Sequence, residues 1–347
     1  MITSNNSQVL VVGGGTFGTC LAQHLAEKGS FVTIYSNSNE VVQCINDNHR
    51  NPKYLSHVIL SQRVSATEQV TSELAENISV VVMAVPTQFM RGELKKIAPV
   101  LSKCLDQGRL FVCAAKGIEI ESRKLPGDVI RDLFGDKIAD DAVFLSGPSF
   151  ASEIAEREPT CVTVASKNHF QCSKAQEIFH AAHFRVYTCS DPIGLEVAGA
   201  LKNVIAIAAG ACAGLGFAMN SRAAFITRGL AEITRIGVAM GADPLTFNGL
   251  AGVGDLFLSC TSEKSRNFTV GFRLGKGEQL EQILSSLGTV AEGVATTKAA
   301  YQLGRDLNVS IPITEEVYKV LYQGKAMTKA VVDLLTRDAK PELDIKR

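Results

Sequence analysis

Apolar positions along this chain follow two regimes that meet near residue 190. In the first, short unbroken runs recur at 9–12 (VLVV), 31–35 (FVTIY), 79–86 (SVVVMAVP), 110–115 (LFVCAA) and 142–145 (AVFL). Two further runs follow at 161–165 (CVTVA) and 184–187 (FRVY). Runs this short and this apolar predict strands buried on both faces of a mainly parallel sheet. Residues 19–28 carry helical spacing and stop at Gly29, and 40–75 reads as helix followed by a loop around Asn51-Pro52-Lys53-Tyr54-Leu55. After 190 the spacing is helical throughout. The chain is therefore expected to be α/β: a Rossmann-like doubly wound sheet over 1–190, then an all-helical domain over 191–347.

The second regime opens on one stretch, 191–220, that reads as a single long helix. Its main polar residues are Glu196, Lys202 and Asn203. From 204 to 219 nothing is polar except the thiol of Cys212. A helix apolar all round belongs inside a domain. The run is shorter than the ~20 residues a bilayer span needs and is rich in Ala and Gly, so stable membrane insertion is not expected. Lys202 at its edge can snorkel to solvent. Half-buried, it loses its proton more easily and can serve as an acid or base.

Chemistry gathers at the ends of the predicted strands. Gly13-Gly14-Gly15-Thr16-Phe17-Gly18 is a G-x-G-x-x-G between a strand and a helix, with a second strand behind it. That context suits a dinucleotide pyrophosphate on free helix N–H groups. The second strand ends in Tyr35-Ser36-Asn37-Ser38-Asn39, with no acid before Glu40 and no Arg or Lys in the tip. NADP is tolerated there and NAD is not excluded. Thr87-Gln88, Lys116-Gly117-Ile118-Glu119 and Ser146-Gly147-Pro148-Ser149 reach the same sheet edge. Each is also compatible with an ordinary strand end or turn. Residues 249–256 form a glycine-rich loop with one acid, Asp255. Ser265, Arg266 and Asn267 meet at a helix start, where a guanidinium fork and N–H donors suit an oxyanion. Residues 289–294 form a small-residue turn with one acid, Glu292.

Composition narrows the field. Hydrophobic residues make up 46% and charged residues 20%, which suits a globular enzyme. Lys+Arg and Asp+Glu are both 35, which argues against bulk nucleic-acid binding. The nine scattered cysteines include no C-x-x-C pair and suggest a reducing, cytoplasmic setting. The N-terminus carries no signal-peptide pattern, and the charged tail from 333 to 347 is expected to be mobile at its end. His180 and His183 could share a helix face, but nothing is spaced to complete a metal shell, so no metal is expected.

Taken in order, G-G-G-T-F-G-T, N-P-K-Y-L, A-V-P-T-Q, K-G-I-E, S-G-P-S-F-A, G-A-L-K-N, T-R-G-L-A-E, G-L-A-G-V-G-D-L, S-R-N and A-E-G-V resemble the bacterial-type NAD(P)-dependent glycerol-3-phosphate dehydrogenase family over nearly the whole chain. The resemblance implies reversible reduction of dihydroxyacetone phosphate to sn-glycerol 3-phosphate, a phospholipid precursor, by NADPH or NADH. It implies Lys202 as proton donor and acceptor, with Lys116 touching both substrate and cofactor. It assigns substrate contacts to Gly147, Ser149, Asp255, Ser265, Arg266 and Asn267. Cofactor contacts fall on Thr16, Phe17, Asn37, Ser38, Tyr54, Ala151, Arg266, Val290 and Glu292, beside Gly13, Gly15 and Gly18 of the turn. A homodimer is implied too. The family usually has tryptophan where this chain has Phe17 and Tyr35, and often Arg or His where it has Asn37 and Ser38. Two other readings remain: a related dehydrogenase acting on a 3-hydroxy acid or sugar acid, and a non-catalytic nucleotide sensor.

Overall fold

The computed structural model describes residues 7–339 and 341–342. Eight strands form one sheet: β1 (Gln8–Val12), β2 (Phe31–Tyr35), β3 (Val64–Thr67), β4 (Val80–Met83), β5 (Leu110–Cys113), β6 (Val143–Ser146), β7 (Thr160–Ala165) and β8 (Phe184–Cys189). Their order is β3-β2-β1-β4-β5-β6-β7-β8. All neighbours run parallel except β6 and β7. The order reverses between β1 and β4, so a crevice opens beyond their carboxyl ends. The four-residue runs of β4, β5 and β6 are buried throughout, as expected of strands covered by helices on both faces.

One strand departs from the sequence reading. β3 lies within 40–75, where helix and loop were expected. Its sequence VSAT offers only two apolar positions, and they alternate with polar ones. That is an edge-strand pattern too short to register against its surroundings. Helices Asn39–Asn48 and Ser72–Asn77 flank it.

The stretch 191–220 is likewise not one helix. The central helix runs Pro192–Gly214 and stops at Leu215. Gly216 then takes φ +86°, a left-handed conformation that ends helices and favours glycine. A second helix, Met219–Ala239, returns against the first. Asp191 caps the central helix by accepting the Gly194 N–H at 2.9 Å. By length and composition this helix could cross a membrane, yet 94% of its most apolar window is buried inside the fold.

Its small residues have a packing purpose. The central helix crosses helix Arg266–Gly275 with backbones nearly touching. A Cβ on Gly271 would lie 1.9 Å from the Ile207 carbonyl oxygen, and one on Gly210 would lie 2.0 Å from that of Phe268. Gly214 and Gly275 extend the same seam. Only glycine allows this approach, which brings the start of helix Arg266–Gly275 against the central helix so that Asn267 meets Asn203. Residues 249–254, expected as a loop, form a wide π-helical turn, Leu250–Gly254, that feeds helix Asp255–Thr261. A Cβ on Gly252 would clash with the Phe247 carbonyl oxygen at 2.1 Å, so the glycines there permit tight coiling rather than slack. The charged tail divides: helix Met327–Leu335 covers its start, while 340 and 343–347 lie outside the described residues.

Candidate active site

Three ionic side chains from three elements converge beyond the sheet edge, Lys202 and Asp255 buried and Lys116 half-buried. Lys116 follows β5, Lys202 sits mid-way along the central helix, and Asp255 opens helix Asp255–Thr261. Asp255 Oδ2 accepts from Lys116 Nζ at 2.7 Å, and Oδ1 accepts from Lys202 Nζ at 2.7 Å. The Asp255 side chain is 2% exposed. Lys116 also donates to the Gly147 carbonyl at 3.1 Å, and Lys202 to Ser259 Oγ at 2.7 Å. An ammonium has three N–H donors, so each lysine keeps one for a ligand.

Electrostatics follow from this packing. Burial alone pushes the Asp255 carboxyl upward, but Lys116 and Lys202 outweigh it and hold it below the usual carboxylate range. For Lys116, burial depresses the ammonium; Asp255 opposes that and the neighbouring Lys202 adds to it. The structure places a shared carboxylate between them, so their repulsion is largely offset.

The next layer is a hydrogen-bond chain. Asn203 Oδ1 accepts from Asn267 Nδ2 at 2.9 Å, and Asn267 Oδ1 accepts the Gly293 N–H at 2.9 Å. Asn267 thus joins three helices, beginning at residues 192, 266 and 292. Ser265 caps its helix through its hydroxyl, which accepts the Phe268 N–H at 3.3 Å. Burial pulls the Arg266 guanidinium, next in line, below its ordinary value, and the nearby Glu292 opposes that. Burial pushes Glu292 up to about 7, against the lowering pull of the Thr87 N–H and Arg266. Its carboxylate lies 3.4 Å from the Thr87 N–H. Gly117 lies close beneath it: a Cβ there would sit 2.7 Å from Thr87 Oγ1 and 2.8 Å from Glu292 Oε2. Val290 is 41% exposed just before.

The glycine turn lies across the crevice. Gly13 has φ +114° and donates its N–H to the Tyr35 carbonyl at 2.9 Å. A Cβ on Gly18 would lie 2.0 Å from the Gly13 carbonyl oxygen, so the turn closes tightly on helix Thr16–Glu27. Its N-cap is Gly15, with no side-chain cap and no acid in its first turn. Free N–H groups without a competing carboxylate fit a dinucleotide pyrophosphate. Phe17 and Ala151 pack against the core beneath the turn. Asn37 and Ser38 stand at the β2 tip, where the Ser38 N–H meets Ser36 Oγ at 3.3 Å. Ser149 Oγ donates to the Gly147 carbonyl at 3.0 Å.

The residues so connected fall into two groups, one around Lys202 and Asn203 and one around the Gly13 turn after β1. Three contributors were missed. Ser259 had a signal: it stands four residues after Asp255, on the same helix face. Asn51, fully buried, and its neighbour Lys53 had only the Asn-Pro turn to announce them. The His180–His183 pair dissolves, because helix His169–Phe179 ends before either residue. His183 instead meets His24 edge-on, with ring centroids 5.5 Å apart.

Comparison with known proteins identifies the family. The model of the NAD-dependent glycerol-3-phosphate dehydrogenase N-terminus matches residues 8–172, and that of its C-terminus matches 191–332. A "Glycerol-3-phosphate dehydrogenase [NAD(P)+]" of Leptospira biflexa is 46% identical over 96% of this chain and 98% of its own. One of Geobacillus kaustophilus is 45% identical over 97% of this chain and 96% of its own. The crystal structure of a glycerol-3-phosphate dehydrogenase from Coxiella burnetii superposes with a TM-score of 0.89 at 31% identity, covering 96% of this chain and 99% of that one.

Proposed function

The chain belongs to the NAD-dependent glycerol-3-phosphate dehydrogenase family, and we propose that Lys202, Lys116 and the carboxylate they share are the catalytic centre of its reaction. That reaction is the reversible NAD(P)H-dependent reduction of dihydroxyacetone phosphate to glycerol 3-phosphate. The observation that supports this centre is the paired 2.7 Å contacts of Asp255 with both lysines.

When bound, the reduced nicotinamide supplies a hydride to the ketone carbon. The residues of this chain manage the charge that results. The spare N–H of Lys202 points its donor at the carbonyl oxygen, stabilises the alkoxide as it forms and then transfers a proton to it. Lys202 regains that proton from solvent. Lys116 adds a second donor and positive charge. Asp255 stays ionised and holds both ammonium groups in place, with Ser259 fixing the tilt of Lys202.

The substrate phosphate is assigned to Arg266 and to the N–H groups opening helix Arg266–Gly275, with Asn267 and Ser265 setting its position and Gly147 and Ser149 lining the opposite wall. The dinucleotide is assigned to Gly13, Gly15, Thr16, Phe17 and Gly18, with Asn37, Ser38 and Tyr54 at the adenosine end. Ala151, Val290 and Glu292 serve the nicotinamide side. On this reading 1–190 binds the dinucleotide and 191–347 the substrate. The enzyme acts as a homodimer in the cytoplasm and feeds phospholipid assembly. Steady-state turnover of dihydroxyacetone phosphate, beside a 3-hydroxy acid as control, tests the substrate assignment. Preference for the acid would overturn it.

A further inference from the structure

The tip of β2 carries no charge: Ser36, Asn37, Ser38 and Asn39 are all neutral. A carboxylate at this place favours an unmodified ribose, and a cation favours a 2′-phosphate. The fold brings one of each from outside the tip. Lys53 Nζ reaches Ser38 Oγ at 3.3 Å from a loop 15 residues further along. It also pairs with Glu40, in the first turn of helix Asn39–Asn48, at 2.7 Å.

The loop is fastened where it needs to be. Asn51 is fully buried. Its amide donates to the Gly14 carbonyl at 2.9 Å and to Thr19 Oγ1 at 2.8 Å. Its Oδ1 accepts the backbone N–H groups of Lys53 and Tyr54, both at 3.1 Å. One side chain thus ties the pyrophosphate turn to the backbone that carries Lys53. The ammonium itself is free to shift. The Lys53 and Glu40 side chains are 46% and 63% exposed, and an ion pair that exposed holds weakly. A phosphate dianion flanked by two serine hydroxyls is a stronger partner for the same ammonium.

We propose that Lys53 is the cation that recognises the 2′-phosphate, and that Glu40 is the carboxylate competing for it. Together the pair sets how far NADPH is preferred over NADH. The preference is moderate, because Glu40 stays close to the incoming phosphate. This rests on the dinucleotide reading above, but not on the identity of the ketone.

Calorimetric titration of the full chain with adenosine 2′,5′-bisphosphate, 5′-AMP, NADP+ and NAD+ tests it without turnover. Lys53→Met is expected to weaken both 2′-phosphorylated ligands roughly tenfold and to leave 5′-AMP and NAD+ within about twofold. Lys53→Arg restores binding, Glu40→Gln tightens the 2′-phosphorylated ligands, and added salt shrinks these differences. Equal weakening of both ligand series would overturn the proposal, since Lys53 would then only order its loop. So would unchanged binding in every variant. Failure of the protein to reduce dihydroxyacetone phosphate would count against the reaction assigned above and leave this binding difference standing.

Discussion

Asp255 gives one carboxylate oxygen to each of two lysines, Oδ2 to the half-buried Lys116 and Oδ1 to the buried Lys202, both at 2.7 Å. Asp255→Asn keeps the shape and removes the charge. Two ammonium groups are then left close together with no counter-ion, at a cost of about 3–5 kcal/mol. The expected outcome is a lower melting temperature and a kcat reduced roughly a hundredfold, with dinucleotide affinity little changed. A variant of wild-type stability and rate would show that the bridge matters to neither.

The same carboxylate sets an acid limit. Its folded pKa lies below the unfolded value near 3.9, so its contribution is present above that value and is lost as pH falls through the folded one. Wild-type stability relative to Asp255→Asn is therefore expected to narrow below about pH 4. Denaturation curves for the two proteins at several acidic pH values check this. A constant difference would contradict the depressed pKa.

Glu196 behaves in the opposite sense. It is buried on the central helix and accepts the Gly127 N–H at 2.7 Å, yet burial pushes its carboxyl up to about 8. A raised folded pKa means that stability is greatest below the unfolded value and declines as pH rises towards the folded one. Glu196→Gln removes the titration and keeps an acceptor for Gly127. The variant's melting temperature should gain on wild type steadily between about pH 4 and about pH 8. A gain that does not vary with pH would place the cause in packing.

Gly271→Ala would set a methyl 1.9 Å from the Ile207 carbonyl oxygen. The seam between the central helix and helix Arg266–Gly275 has no slack, so the expected loss is roughly 3 kcal/mol or more. Because the seam also positions Arg266 and Asn267, KM for the ketone should rise in whatever protein folds. Chemical denaturation and kinetics on one sample separate the two effects.

Arg266→Ala is expected to raise KM for dihydroxyacetone phosphate by at least tenfold, with a smaller change in kcat. Asn267→Ala should cost about 2 kcal/mol of stability as well, since it strands both Asn203 and the Gly293 N–H. An Arg266→Ala protein with normal KM would move the phosphate elsewhere.

Much of this was legible in the sequence, for identifiable reasons. Uniformly apolar runs such as VVVM and VFLS could only be interior strands, and the glycine turn behind the first of the strands named its own ligand class. Lys202 stood out because so little around it was polar. β3 was lost because VSAT is too short and too polar to announce an edge strand. The break at Gly216 was lost because apolar composition continues across it. The Asp255 bridge joins residues 139 and 53 positions apart, and no local pattern encodes such a meeting. Lys53 shows the same limit: the cation missing from the strand tip came from another segment, carried by a buried asparagine.

The most direct test of the account measures dihydroxyacetone phosphate reduction by wild type and Lys202→Ala under identical conditions, following loss of nicotinamide absorbance with NADPH and with NADH, and measures dinucleotide binding to both proteins. Turnover by wild type, with kcat reduced at least a thousandfold in the variant and dinucleotide affinity within about twofold, is the predicted result. A variant that binds dinucleotide normally and turns over at the wild-type rate would contradict the assignment of Lys202 as the proton donor.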